Sequence, residues 1–434
     1  MNKTRKARRA KLEGGEQTLR SSEMSGGELV GKGGYGCGFF PGLPCSSSLT
    51  SRHKSYFTKV MRPQHAHDEF AISEIVRHID PNMNYSIYPS KICKPSIENV
   101  KDYLKEGISK CDANKLQLDE EALKRKISME EIVFMQSPYG GPDLQTIFDK
   151  AATEVQSLMT IYRIFEKFEN ALKGLLHFHE RDYVHIDIKS LNIVCDAKCK
   201  FIDFGFFTKA TNPIPKNDAF PFIIEKKTPN WPLDGYFVYN WPTLHESGLS
   251  RTYTMRTHVH LSEMKHIPPE IYSGRQIDNV FYPFTTFKSV HEYYTYIYNT
   301  IKALDNSKTS SMSKSMQSKL LKAHDVYCLG EVLAALCYNF FRKKMQYNEI
   351  VLVENNIDVP FIPVILIELF YDLVKQMMNL NPLKRFTAQE AYDSYLDIMQ
   401  YFRYVMKLFG KQVEGPTAHI PAAIRPKDSF DAYY

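Results

Sequence analysis

Two aspartates and an asparagine fall close together in this 434-residue chain. Asp187 and Asn192 lie in Val184-His185-Ile186-Asp187-Ile188-Lys189-Ser190-Leu191-Asn192, and Asp203 opens Asp203-Phe204-Gly205 eleven residues later. Lys200-Phe201-Ile202, just before Asp203, reads as a strand. Two carboxylates and an amide facing one cleft would be costly to bury unless cations shared the space. The chemistry such a set can run is phosphoryl transfer. One aspartate orients a hydroxyl and accepts its proton, while an amide and a second aspartate hold Mg²⁺ on a triphosphate.

A phosphate site also needs bare backbone. Gly31-Lys32-Gly33-Gly34-Tyr35-Gly36 fits G-x-G-x-x-G, a pattern in which amides approach phosphate oxygens because side chains are absent. Alone it is weak, since glycines are common in hairpins. Phe57-Thr58-Lys59-Val60 follows as a strand that sets one lysine among apolar neighbours, where its charge needs partners. Phosphates and a carboxylate on the next helix would supply them, and Glu69 and Glu74 are the candidates. Glu69 shares its helical face with Ile72 and Val76 and is preferred, although Glu74 leaves a longer connection.

These motifs, in this order, resemble the eukaryotic-type serine/threonine protein kinases, whose catalytic loop H-R-D-x-x-x-x-N precedes D-F-G. The resemblance spans roughly residues 28–405. It implies an α+β, two-lobe fold: a small antiparallel sheet with one main helix, then a larger, mostly helical lobe. It implies ATP and Mg²⁺ as cofactors and a protein substrate of unknown identity. Asp187, Lys189, Asn192 and Asp203 are then catalytic, with Asn192 and Asp203 on the metal. Gly31, Gly33, Gly34, Tyr35, Gly36, Lys59, Glu69, Gln136 and Ser137 bind nucleotide. Lys189 resembles the lysine that steadies the γ-phosphate. Asp325, in Asp325-Val326-Tyr327-Cys328-Leu329-Gly330, resembles the aspartate that bonds the backbone of the catalytic loop. Arg385, in Asn381-Pro382-Leu383-Lys384-Arg385, resembles the arginine paired to an acid closing the activation segment; Asp234 is favoured over Glu270 for that acid. The wording around Gly31–Cys45, Arg77-His78-Ile79-Asp80-Pro81 and Tyr139–Leu144 is similar to kinases of large cytoplasmic DNA viruses. That points to the host cytoplasm or a virion. A pseudokinase scaffold or nucleotide-binding module is the alternative reading.

The chain departs from the family at three places, Ile186, Gly38 and Pro138. Ile186 stands where the arginine of H-R-D is usual, which implies activity independent of activation-loop phosphorylation. Gly38 stands where a valine roofs the adenine, implying a looser fit. Met135 takes the gatekeeper position. Pro138 lacks the N–H that would bond adenine, so the contact shifts to Tyr139 or is lost.

The supporting elements follow from pattern. Residues 1–25 read as a disordered basic tail, with seven Lys and Arg against two Glu in the first twenty residues, and nucleic acid is expected to touch the chain only there, if at all. Residues 26–136 form the first lobe and 137–409 the second, with an insert at about 240–320; 410–434 reads as an extended tail. Residues 305–319 are low in complexity and read as a flexible insert, with helix from Asp325 on. A helix is expected over about 67–79. Phe165, Phe168, Leu172, Leu175 and Leu176 recur at helical spacing, and Thr387 with Glu390 form a capping box. The eight scattered cysteines are expected to be free thiols. No apolar run reaches the roughly 18 residues of a membrane span, and 43% hydrophobic with 24% charged residues is ordinary for a globular chain. A monomer is expected.

Overall fold

The computed structural model describes residues 28–32, 36–45, 55–94, 132–153, 157–212, 275–277, 280–282, 290–305, 312–342, 361–379 and 381–408. The proposed basic tail, Gly33, Gly34, Tyr35, Asp234, Glu270 and most of the 240–320 insert lie outside them. The protein is mixed α+β and divides into two compact units, Met1–Ala66 with Lys91–Ser137, and His67–Ser90 with Pro138–Tyr434.

The first unit carries a five-stranded sheet. Its strands are β1 (Glu28–Lys32), β2 (Gly36–Phe40), β3 (Tyr56–Met61), β4 (Lys91–Cys93) and β5 (Val133–Pro138), in the order β1-β2-β3-β5-β4. β2 pairs antiparallel with both β1 and β3, setting Gly38 opposite Gly31 on one side and Lys59 on the other. Alternation along β3 then sorts the faces: Thr58 and Val60 are buried, while Phe57 and Lys59 are half-buried on the opposite side. The segment after β2 covers the Thr58 side. The Leu43 carbonyl accepts from Thr58 Oγ1 at 3.2 Å and from Gln136 Nε2 at 2.7 Å. Met61, Ala66, Val133 and Met135 form a small core of their own.

Helix α1 (Pro63–Ile79) runs four residues further back than its apolar pattern suggests, because proline is well suited to the first helical position. In the second unit come α2 (Leu144–Thr153), α3 (Leu158–Glu180), the short β6 (Tyr183–Val184), β7 (Ile193–Cys195), β8 (Cys199–Phe201) and β9 (Thr208–Lys209). A separate pair, β10 (Arg275–Ile277) and β11 (Val280–Tyr282), precedes α4 (Val290–Leu304), α5 (Lys314–Cys337), α6 (Phe361–Met377) and α7 (Ala388–Leu408). The core is the buried stripe of α3 with α5, α6 and α7. Phe165 sits at its centre, with ring centroids 4.6 Å from Phe370 and 5.2 Å from Phe341, and its carbonyl accepts from Tyr395 Oη at 2.6 Å.

Two expectations need correction. Helix α5 starts at Lys314 rather than Asp325, because Ser313 caps it, accepting from the Met316 amide at 3.2 Å, and because Met316, Leu320 and Leu321 are buried. The cysteines are not all free: Cys45 bonds Cys93, and Cys195 bonds Cys199. Cys195 and Cys199 face one another in the β7–β8 ladder. Spacing along the chain does not report on that proximity. Cys328 and Cys337 are free and buried. Among the described residues no helix is long and apolar enough to cross a membrane.

Candidate active site

The loop between β6 and β7 holds Asp187, Lys189 and Asn192. Asp187 is largely buried, and its Oδ2 accepts from Lys189 Nζ at 2.6 Å and from Asn192 Nδ2 at 2.9 Å. The same amide nitrogen donates to the Asp187 carbonyl at 2.8 Å. The Asn192 side chain is therefore oriented by its nitrogen, so its oxygen is the atom left for a cation. Asp187 Oδ1 is likewise the oxygen that neither donor holds. A short 3-10 turn, Ser190–Asn192, presents the amide, and Ser190 Oγ donates to Gln145 on α2 at 3.0 Å.

The backbone beneath is strained and clamped. Ile186 has φ of 70°, a left-handed conformation that a β-branched residue adopts at a cost of about 1–3 kcal/mol. Both sides of it are held from α5. Asp325 Oδ1 accepts from the Ile186 amide at 2.8 Å, Oδ2 from the His185 amide at 2.7 Å, and His324 Nε2 donates to the Ile186 carbonyl at 3.1 Å. Asp325 is fully buried. Burial alone would raise its pKa, but the His179 bond, with the nearby His179, His324 and His185 rings, outweighs that and holds it below the ordinary value. The role suggested for Asp325 by resemblance is thus matched by its contacts.

Asp203 is placed through its neighbour. The Ile202 amide donates to the Asn192 carbonyl at 3.0 Å, and His185 Nε2 donates to the Ile202 carbonyl at 3.2 Å. Asp203 itself is exposed with φ of 59°, while Phe204 is buried against Phe178 and Phe207. Burial lowers the His185 pKa, opposed by the charges of Asp325, Asp187 and Asp203. Those two site aspartates are therefore near enough to one imidazole to act on it. Sequence reasoning gave His185 no task; its position two residues before Asp187 was the available signal.

The segment leaving Gly205 is tethered as well. Asp182 accepts from Thr211 Oγ1, Ser318 Oγ and Lys322 Nζ, and Gln317 Nε2 donates to the Ala210 and Asn212 carbonyls. Those bonds outweigh desolvation and lower the Asp182 pKa. Asp80, also missed, accepts from the Asn84, Tyr85 and Ser86 amides and shapes the turn that pairs with Phe201. An aspartate before Pro81 at a helix end was its signal.

In the first unit, Gly31 and Gly36 lie on β1 and β2, and Lys59 is half-buried on β3. Gln136 directs its side chain to Leu43 rather than outward, and Ser137 is half-buried beside it. In the second unit, Glu74 is exposed and paired with Arg77 at 2.8 Å, whereas Glu69 is half-buried. Arg385 is buried, donating to the Asn379 and Ala323 carbonyls and lying 4.9 Å over the Tyr327 ring. Among the described residues no three His, Cys, Asp or Glu side chains form a metal cage. A cation that arrives on phosphate needs only one or two carboxylates from the protein, and the Asp203 carboxylate with the Asn192 amide oxygen is a donor set of that kind. The chain matches no known family model and no curated protein.

Proposed function

We propose that the chain is a protein kinase of the two-lobe type, transferring the γ-phosphate of ATP to serine or threonine hydroxyls. The observation that carries this reading is the bonded set Asp187–Lys189–Asn192, tied through Ile202 to Asp203. Asp187 orients the acceptor hydroxyl and takes its proton on Oδ1, while Lys189, alongside it, meets the charge that gathers on the transferred group. The Asn192 and Asp203 oxygens hold Mg²⁺, whose contribution is to neutralise phosphate charge. Lys59 is assigned to the α- and β-phosphates; of the two carboxylates considered beside it, the exposed, Arg77-paired Glu74 is less suited to that role than Glu69. Ile186, filling the place of an arginine, is pinned by Asp325 and His324 instead, which supports activity without a phosphorylated loop.

The test is transfer of radiolabelled γ-phosphate from MgATP to a generic basic protein, followed by phosphoamino-acid analysis. Wild type is expected to yield phosphoserine or phosphothreonine, and Asp203→Asn to abolish the signal. Retained transfer by Asp203→Asn would refute the assignment. Binding of MgATP without transfer would favour the pseudokinase.

A further inference from the structure

On the face of the first unit's sheet that carries Lys59, the positions beside it on β2 and β1 are glycines. Gly31 and Gly38 are cross-strand partners, and Gly38 pairs in turn with Lys59, so all three point to one side. Phe57, two residues before Lys59 on β3, points to that side as well. Its ring lies across Gly38: a Cβ added there would run into the Phe57 ring carbons, whereas one added at Gly31 would meet nothing within 4 Å. The bulk missing from β2 is thus supplied by the neighbouring strand, and one side of it stays open. Phe57 is only half-buried, so part of the ring faces solvent. An accessible aromatic surface roughly 6–7 Å along a strand from a lysine suits a molecule with a flat ring at one end and negative charge at the other.

From this juxtaposition we infer that Phe57 is a base-binding residue, its ring packing against the nucleobase while Lys59 takes the phosphates. This rests on the kinase reading above and deepens it. The residue acts by stacking, which is tolerant of base identity because every base has a π-face. It also explains why position 38 is glycine, since any side chain there would displace the ring.

The experiment measures binding of MgATP and of magnesium tripolyphosphate, which has no base, to the full chain by calorimetry. Phe57→Ala is expected to weaken MgATP roughly tenfold or more and leave tripolyphosphate unchanged. Phe57→Leu, which keeps apolar bulk without the π-face, is expected to lose several-fold and carries the test should the alanine variant not fold. Adding Gly38→Val to Phe57→Ala puts bulk back from β2 and is expected to recover part of the loss. Unchanged MgATP affinity in Phe57→Ala, equal weakening of both ligands, or no recovery in the double variant would each overturn the inference. Failure of wild type to bind MgATP at all would instead overturn the kinase reading.

Discussion

On the proposed reading, Asp187 is the residue on which the chemistry turns, with separate tasks for its two oxygens. Oδ2 is occupied by Lys189 and Asn192, so only Oδ1 is left to meet a hydroxyl. Asp187→Ala is therefore expected to lower turnover about 10²- to 10⁴-fold while leaving MgATP affinity nearly intact, read from steady-state kinetics beside calorimetry. An equal loss of nucleotide binding would mean the carboxylate serves the phosphates rather than the acceptor. Asp325 works one layer away. Asp325→Ala leaves the His185 and Ile186 amides buried without an acceptor, at about 1–3 kcal/mol each. It also frees a backbone that is held left-handed at Ile186. Chemical denaturation is expected to show a loss of roughly 3 kcal/mol or more, with turnover falling as the Asp187 loop relaxes.

Among the elements, α7 is the one whose start was written most plainly. Its capping box closes in both directions: Glu390 Oε2 accepts from the Thr387 amide at 2.8 Å, and Thr387 Oγ1 from the Glu390 amide at 3.3 Å. Those bonds lower the Glu390 pKa, the Thr387 amide contributing most, so their support is present above the ordinary carboxylate range and fades as pH falls below it. Thr387→Ala is expected to cost about 1 kcal/mol, measurable as a shift in the urea midpoint at neutral pH. The start of α5 was missed for the opposite reason. Ser313 is one serine among many in a polar stretch, and only burial of Met316 and Leu320 marks it as a cap. The cysteine pairs were missed because a disulfide needs two strands or loops side by side. β7 and β8 supply that for Cys195 and Cys199, and β4 for Cys93.

At the scale of the whole chain, stability is coupled to pH through α5. Burial pushes the Glu331 pKa up to about 7. A carboxyl whose folded pKa is raised contributes stability that is complete below its unfolded pKa and is lost as pH rises through the folded value. Wild type is thus expected to lose on the order of 1–3 kcal/mol from this group between pH 5 and pH 8. Glu331→Gln should remove that decline, so the difference in thermal midpoint between variant and wild type widens towards pH 8. A constant difference across the range would show that Glu331 ionises as it would in water.

Much of the site could be read along the chain because its parts are short-range. Asp187, Lys189 and Asn192 sit within one loop, Asp203 follows after a single hairpin, and Gly31, Gly36 and Lys59 lie on neighbouring strands of the first unit. Residue type and spacing carry such local geometry, and they carried the helical stripe of α3 and the box at Thr387. What folding added lies across longer separations and across strands. Gln136 turned inward to Leu43, Phe57 came to rest over Gly38, and Ile202 was gripped by both His185 and Asn192. Each depends on which side of a strand faces which neighbour, and register fixes that only once the sheet has formed.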